Sequence, residues 1–257
     1  MNKTRRLNRI LASDGKALIV AMDHAAIQGP KGLERPAEVI RQVIAGGADA
    51  ILTTYGIART FGKELAPVGL ILRTDGGQST IGPDISESAP LYDVEDALRL
   101  GADGVVANAG PGHRNEVKHM EWLSALASEC DRWGVVLVAE MVPGGFDSGP
   151  EFRTLANHQL AARFGSEYGA DLLKTPYCDG FEAVVNACYT PIVVPGGSKM
   201  SEEQLITMVY NAVQAGAVGC AVGRNIWGAP DPAKMCRALS AVIHGGASVA
   251  EAMRLLE

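Results

Sequence analysis

Short apolar runs alternate with amphipathic stretches along the whole chain. The runs fall at residues 17–22, 50–53, 68–72, 104–108, 135–139, 171–175, 191–194 and 219–222. Each is a near-continuous series of Val, Ile, Leu and Ala, the pattern of a strand buried on both faces in a parallel sheet. Between them, apolar positions recur at helical spacing. They predict helices over 37–45, 57–65, 94–100, 115–133, 152–164, 179–187, 202–215 and 232–243, with a tail helix at 248–256. Gly47-Ala48, Gly101-Ala102, Gly169-Ala170 and Gly216-Ala217 stand just ahead of strands, where a glycine stops the preceding helix. A polar stretch, 78–90, follows the third run. Eight strand–helix units with no inserted block predict an α/β fold, a single (β/α)8 TIM barrel spanning residues 1–257. An open doubly wound sheet is the alternative. It carries a glycine fingerprint after its first strand, whereas here that strand ends in Asp23-His24.

Composition narrows the function classes. The 257 residues are 47% hydrophobic and 20% charged, an ordinary globular balance. The formal charge is −6 and the basic residues are scattered, so no nucleic-acid footprint is present. Lys3, Arg5, Arg6 and Arg9 form a basic cluster with no apolar core behind it, which reads as a solvated lead-in helix and not a signal peptide. No apolar run approaches the ~18 residues of a membrane span. Five cysteines, an odd number with no C-x-x-C spacing, read as free thiols in a reducing compartment. These features predict an unattached cytoplasmic protein with no metal and no cofactor.

In such a barrel the chemistry sits at the C-terminal ends of the strands. The polar residues there are Asp23 and His24, Thr53 and Thr54, Arg73 and Asp75, Asn108, Glu140, Lys174, Ser198, and Arg224 with Asn225. Lys174 stands out because it ends a buried run, and lysine is rarely buried without a partner or a task. Burial disfavours an ammonium and frees a neutral amine, and such an amine attacks a ketone to form a Schiff base. The plain alternative is a strand-end lysine whose head reaches water. Asp23 and Glu140, facing it across the mouth, favour the chemical reading.

Strands seven and eight run into Pro195-Gly196-Gly197-Ser198 and Gly223-Arg224-Asn225. Glycines let a backbone approach a ligand, and barrels bind phosphate at these two loops beside a short helix. Residues 225–227 are placed to form that helix, and Arg224 adds a fork of donors. Gly196, Gly197, Gly223 and Arg224 are therefore the predicted phosphate cradle.

Met22-Asp23-His24, Lys174-Thr175-Pro176-Tyr177, Val194-Pro195-Gly196-Gly197 and the run 221–227 together resemble the archaeal-type (DhnA-like) class I fructose-bisphosphate aldolases. The resemblance spans nearly the whole chain and is densest from Ala170 onward. It implies a (β/α)8 barrel that uses no metal, Lys174 as Schiff-base lysine, Asp23 as an active-site carboxylate, and a homo-oligomer acting on a small phosphorylated sugar. Relatives include an amino-dideoxy-heptulosonate synthase and the thiolase that degrades phosphorylated autoinducer-2. The stretch 180–197 looks most like that thiolase. The aldolases carry a catalytic tyrosine after strand five in a Tyr-Pro-Arg-Gly motif. Here the run is Met141-Val142-Pro143-Gly144-Gly145, so Val142 takes the tyrosine's place; the thiolase relatives also lack this tyrosine.

Several roles stay open at this point. His24 reads as a base or as a hydrogen-bonded structural group. Glu140 reads as a catalytic group or as an ion-pair partner of Arg73 or Lys174. Tyr177 reads as a substitute acid or as rim packing, His113 as a substrate contact in a Gly/Pro loop, and Trp227 as core. Three functions compete: a Schiff-base aldolase of fructose-bisphosphate type, an acyl-transferring or transaldolase-like relative using the same lysine, and a non-catalytic phosphosugar-binding barrel.

Overall fold

The computed structural model describes residues 3–82 and 87–257. The eight predicted strands are β1 (Ala17–Ala21), β2 (Ala50–Thr53), β3 (Gly69–Arg73), β4 (Gly104–Ala109), β5 (Val136–Met141), β6 (Leu172–Lys174), β7 (Ile192–Pro195) and β8 (Gly219–Val222). They pair in chain order, all parallel, and β8 closes on β1. Helices α1 (Thr4–Ile10), α2 (Ala25–Gln28), α3 (Pro36–Ala45), α4 (Tyr55–Thr60), α5 (Gly62–Leu65), α6 (Val94–Arg99) and α7 (Glu116–Trp133) lie in the first half. Helices α8 (Leu155–Glu167), α9 (Phe181–Asn186), α10 (Glu202–Gln214), α11 (Arg224–Trp227), α12 (Pro232–Ile243) and α13 (Val249–Arg254) complete the outer ring.

The two-residue period of the strands divides the core into two layers. Ile19, Leu52, Ile71, Val106, Val138, Leu172 and Val193 fill the barrel interior. Leu18, Val20, Ile51, Leu72, Leu137 and Leu173 point outward and meet the helices. The Gly-Ala helix stops behave as expected, since all four glycines take positive φ.

Two expectations are corrected. Helix 57–65 breaks at Phe61 into α4 and α5. The lead-in helix α1 is not simply solvated: Ile10 is fully buried in the inner layer and Leu7 packs beside it, closing the lower mouth. Its basic side chains are tied down as well. Lys3 pairs with Asp131 at 2.7 Å and with Asp171 at 2.8 Å, and Arg9 pairs with Asp103 at 3.1 Å. An open barrel bottom needs an apolar plug, and the charges around that plug are there to be matched. Of the polar stretch 78–90, residues 83–86 lie outside the described residues. Asp75–Gly76 and Ala89–Pro90, on either side of them, form a short antiparallel ribbon.

Three carboxylates hold the lower ends of the strands. Asp49, Asp103 and Asp171 follow Gly-Ala pairs and accept the backbone N–H of Leu18, Leu70 and Leu137, at 2.7, 3.1 and 2.7 Å. Each thereby satisfies a donor at the start of the neighbouring strand. The fourth Gly-Ala pair is followed by Val218.

Candidate active site

The same period of two that fills the interior decides which rim residues face inward. Two positions beyond Ala21, Ile71, Val138 and Leu172 lie Asp23, Arg73, Glu140 and Lys174. In the β5–β6 register Glu140 stands directly beside Lys174, and in the β4–β5 register Asn108 stands beside Glu140. Neighbouring parallel strands thus deliver a carboxylate and an ammonium to one point.

There Lys174 Nζ lies 2.6 Å from Glu140 Oε1. Only 5% of Lys174 and 3% of Glu140 is exposed, so neither charge is carried by water. Arg73 is the hub of the remaining charges. Its guanidinium donates to Glu140 Oε2, to Asp23 Oδ2 at 2.9 Å and to Asp75 Oδ1 at 3.0 Å. Burial alone would push the Glu140 carboxyl up. Lys174 and Arg73 outweigh it and hold that carboxyl well below the usual range. Burial works against the Arg73 guanidinium, but Glu140, Asp75 and Asp23 keep it firmly charged. Asp75 goes the other way, its carboxyl raised by burial in spite of Arg73. Its second oxygen accepts the N–H of Asn108 at 3.2 Å.

Lys174 opens onto two cavities. The larger, about 540 Å3, runs toward the β7 and β8 loops and is lined by Asp23, His24, Glu140, Val142, Lys174, Tyr177, Gly196, Gly197, Gly223 and Arg224. All five predicted catalytic residues and all four predicted phosphate residues therefore share one space. Gly223 is required there by a close approach, since a Cβ would stand 2.6 Å from the Ala21 carbonyl oxygen. Gly197 has φ +61° with open space on its Cβ side. Arg224 donates to the Gly197 carbonyl and to Gln28 Oε1, both at 3.1 Å. Neither partner is anionic, so its charge is not matched by these contacts.

His24 is half-buried, and burial lowers its imidazole below the ordinary value, with Arg224 adding to the effect. A neutral ring keeps an acceptor nitrogen. Its Nε2 is buried with no partner among the described residues. Tyr177 packs against Phe181, ring centroids 5.4 Å apart, at the cavity edge. His113 is stacked on His119, 4.7 Å between centroids, and does not line either cavity. Trp227 is core, its indole N–H donating to the Ala21 carbonyl at 2.9 Å.

Residues 17–229 match the model of the DeoC/LacD family aldolases. The chain belongs to that family. A 2-amino-3,7-dideoxy-D-threo-hept-6-ulosonate synthase of Archaeoglobus fulgidus is 35% identical, over 98% of this chain and 95% of the relative. The 3-hydroxy-5-phosphonooxypentane-2,4-dione thiolase of Yersinia enterocolitica is 34% identical, over 97% and 85%. An archaeal fructose-1,6-bisphosphate aldolase, solved with its catalytic Lys covalently bound to the carbinolamine intermediate, superposes with a TM-score of 0.85. It is 30% identical, with 94% of this chain and 99% of that chain covered. The barrel of this DeoC/LacD family member is thus the fold of solved aldolases.

Sequence reasoning placed Asp75 on the rim without a task and gave Arg73 only a pairing with Glu140, which the structure shows together with the Lys174 pair. Yet three inward carboxylates with one lysine demand another cation, and that charge balance was the available signal for Arg73. Asn225 was placed on the rim and in the short helix, but its contacts were not foreseen. It is buried, and its amide donates to the Gly196 and Ser198 carbonyls at 3.0 Å while its Oδ1 accepts the Met200 N–H at 3.0 Å. It ties the two glycine loops together. Arg153 does the same for the loop after β5, donating to the Pro143 and Gly145 carbonyls, each at 2.7 Å. No sequence signal marks such contacts. Among the described residues, no group of three or more His, Cys, Asp or Glu is placed to hold a metal ion, and no helix is long and apolar enough to cross a membrane.

Proposed function

We propose that this aldolase-family chain is a class I, Schiff-base lyase acting on a phosphorylated ketose through Lys174. One observation carries the reading: a buried lysine beside a carboxylate, at the mouth of a barrel, in a cavity that leads to two glycine loops and Arg224. The archaeal aldolase with its lysine-bound carbinolamine supports the same chemistry here.

The Lys174 amine adds to the ketone carbonyl, and loss of water leaves a protonated imine. A base removes the proton from the hydroxyl on the far carbon of the bond to be broken. The oxygen's electrons form the aldehyde carbonyl, the C–C bond breaks, and its electron pair flows into the imine as an enamine. Protonation of the enamine and addition of water release the ketone phosphate and restore the amine. Glu140, at 2.6 Å, is the group placed to exchange protons with Nζ. Asp23, neutral His24 and Tyr177 line the same cavity and supply the other proton positions. Arg224 and the backbone around Gly196, Gly197 and Gly223 hold the phosphate, which fixes the carbonyl against Lys174. The test is direct. Borohydride with dihydroxyacetone phosphate adds the ligand mass to the peptide holding Lys174. Mass on another lysine, or on none with any ketose phosphate, sinks the reading.

A second reading, acyl transfer from a phosphorylated diketone to coenzyme A, is favoured by Val142. This side chain is buried, apolar and part of the cavity wall, so it moves no proton. The family tyrosine's acid/base role, worth about 10²–10⁴ in rate, is thus vacant at position 142, which predicts slow cleavage of fructose 1,6-bisphosphate by the native chain. Val142→Tyr raises that cleavage if only the proton-transfer group is missing. For an acyl transferase it does not help, and turnover of the diketone requires coenzyme A. Rates of both variants with and without coenzyme A separate the two.

A further inference from the structure

The second cavity on Lys174 has a different character from the first. It occupies about 220 Å3, below the ~300 Å3 at which drug-sized sites begin, so it suits a small fragment. It shares Asp23, His24, Ile27, Glu140, Phe146 and Lys174 with the larger cavity and extends the other way, toward β2 and β3. Its walls include Tyr55 and Tyr92, stacked face to face with centroids 4.5 Å apart and planes 7° from parallel. Gln78 lines it as well, and its Oε1 is buried with no partner among the described residues. A buried acceptor left without a donor is costly, and a hydroxyl is the kind of donor it lacks.

Charge separates the two cavities. The lysine and arginine on this wall are both already matched: Lys174 by Glu140, and Arg73 by Glu140, Asp23 and Asp75. His24 is held toward its neutral form by burial. Residues 83–86, outside the described part, carry no basic side chain. A phosphate dianion brought here would meet three carboxylates and no spare cation, and its desolvation would go uncompensated. In the larger cavity Arg224 touches only neutral acceptors and stands beside the glycine loops.

We propose that the second cavity receives an unphosphorylated aldehyde, so that the substrate of this chain carries one phosphate, held at the β7–β8 loops. The inference rests on the Schiff-base reading and adds its substrate class. The phosphorylated ketone half stays on Lys174 as the enamine. The uncharged hydroxy-aldehyde half leaves into, or arrives from, the space bounded by Gln78 and the Tyr55–Tyr92 pair.

The experiment runs in the synthetic direction. Wild-type protein is first trapped with borohydride and dihydroxyacetone phosphate, to establish the imine on Lys174. The same donor is then offered glyceraldehyde or glyceraldehyde 3-phosphate, and kcat/KM is measured for each. The expected result is at least a tenfold preference for glyceraldehyde. Gln78→Leu raises KM for glyceraldehyde about tenfold. Gln78→Arg, which brings in an unmatched cation, erases or reverses the preference. Trapping on Lys174 with equal or better use of glyceraldehyde 3-phosphate overturns this inference and leaves the Schiff-base reading standing. Trapping with turnover of neither aldehyde also overturns it. Absence of trapping removes the Schiff-base reading itself.

Discussion

Lys174 and Glu140 sit 2.6 Å apart because their strands are neighbours and in register, not because they are close in sequence. Thirty-odd residues of chain separate them. Their inward direction follows from the phase of Val138 and Leu172 in the same strands. Arg73 then makes the carboxylates compatible with burial, since removing one partner from such a cluster leaves another charge unpaired. At this scale the sharpest expectation concerns Arg224. It already spends two donors on the Gly197 carbonyl and Gln28, both of which a phosphate oxygen outcompetes by its charge. Arg224→Ala should raise KM for the phosphorylated substrate about tenfold or more, the equivalent of a charge-assisted hydrogen bond of roughly 1.5–3 kcal/mol. Steady-state kinetics decide it, and an unchanged KM removes Arg224 from phosphate binding.

At the level of elements, the Gly-Ala-Asp triplets at 47–49, 101–103 and 169–171 do two jobs in three residues. The glycine ends a helix in the left-handed region. The aspartate accepts a strand N–H next door and pairs with a basic group brought from elsewhere: His244 for Asp49, Arg9 for Asp103 and Lys3 for Asp171. The glycine half of this device was legible as a helix stop. The aspartate half was not, because its partner strand is one barrel step away. Asp103 is nearly buried, and Asp103→Ala leaves the Leu70 N–H without its acceptor. The expected loss is about 1.5–3 kcal/mol, read as a lower urea midpoint. Lys174 trapping in the folded variant persists, since the bottom of the barrel is far from its mouth.

For the whole molecule, closure joins the first strand to the last, and His244 at the end of α12 reinforces that seam. Its Nδ1 lies 2.8 Å from Asp14 and its Nε2 lies 3.0 Å from Asp49. The Asp49 hydrogen bond, more than the opposing burial, raises this imidazole above its ordinary value of 6.5. A group whose folded pKa is raised adds stability that is fully present below its unfolded value and is lost as pH rises through the folded one. Unfolding free energy should therefore decline as pH climbs above about 6.5. His244→Gln should flatten that decline. Denaturant unfolding across pH 5–9 checks it, and an unchanged slope in the variant would show that the seam does not titrate this way.

The order, number and type of the eight strand–helix units were readable from the chain, because burial on both faces imposes continuous apolar runs and glycine marks the stops; helix α2 and the short ribbon were not. The inward phase of Asp23, Glu140 and Lys174, and the glycines of the last two loops, were readable for the same local reason. What a one-dimensional pattern does not carry is who stands beside whom. The breaking of helix 57–65, the plugging of the barrel by Ile10, the gathering of three carboxylates around Arg73 and the loop tie made by Asn225 all depend on contacts between distant residues. So does the division of the mouth into one cavity with an unmatched arginine and one without. Charge matching is a property of distances, and only the closed barrel sets those distances.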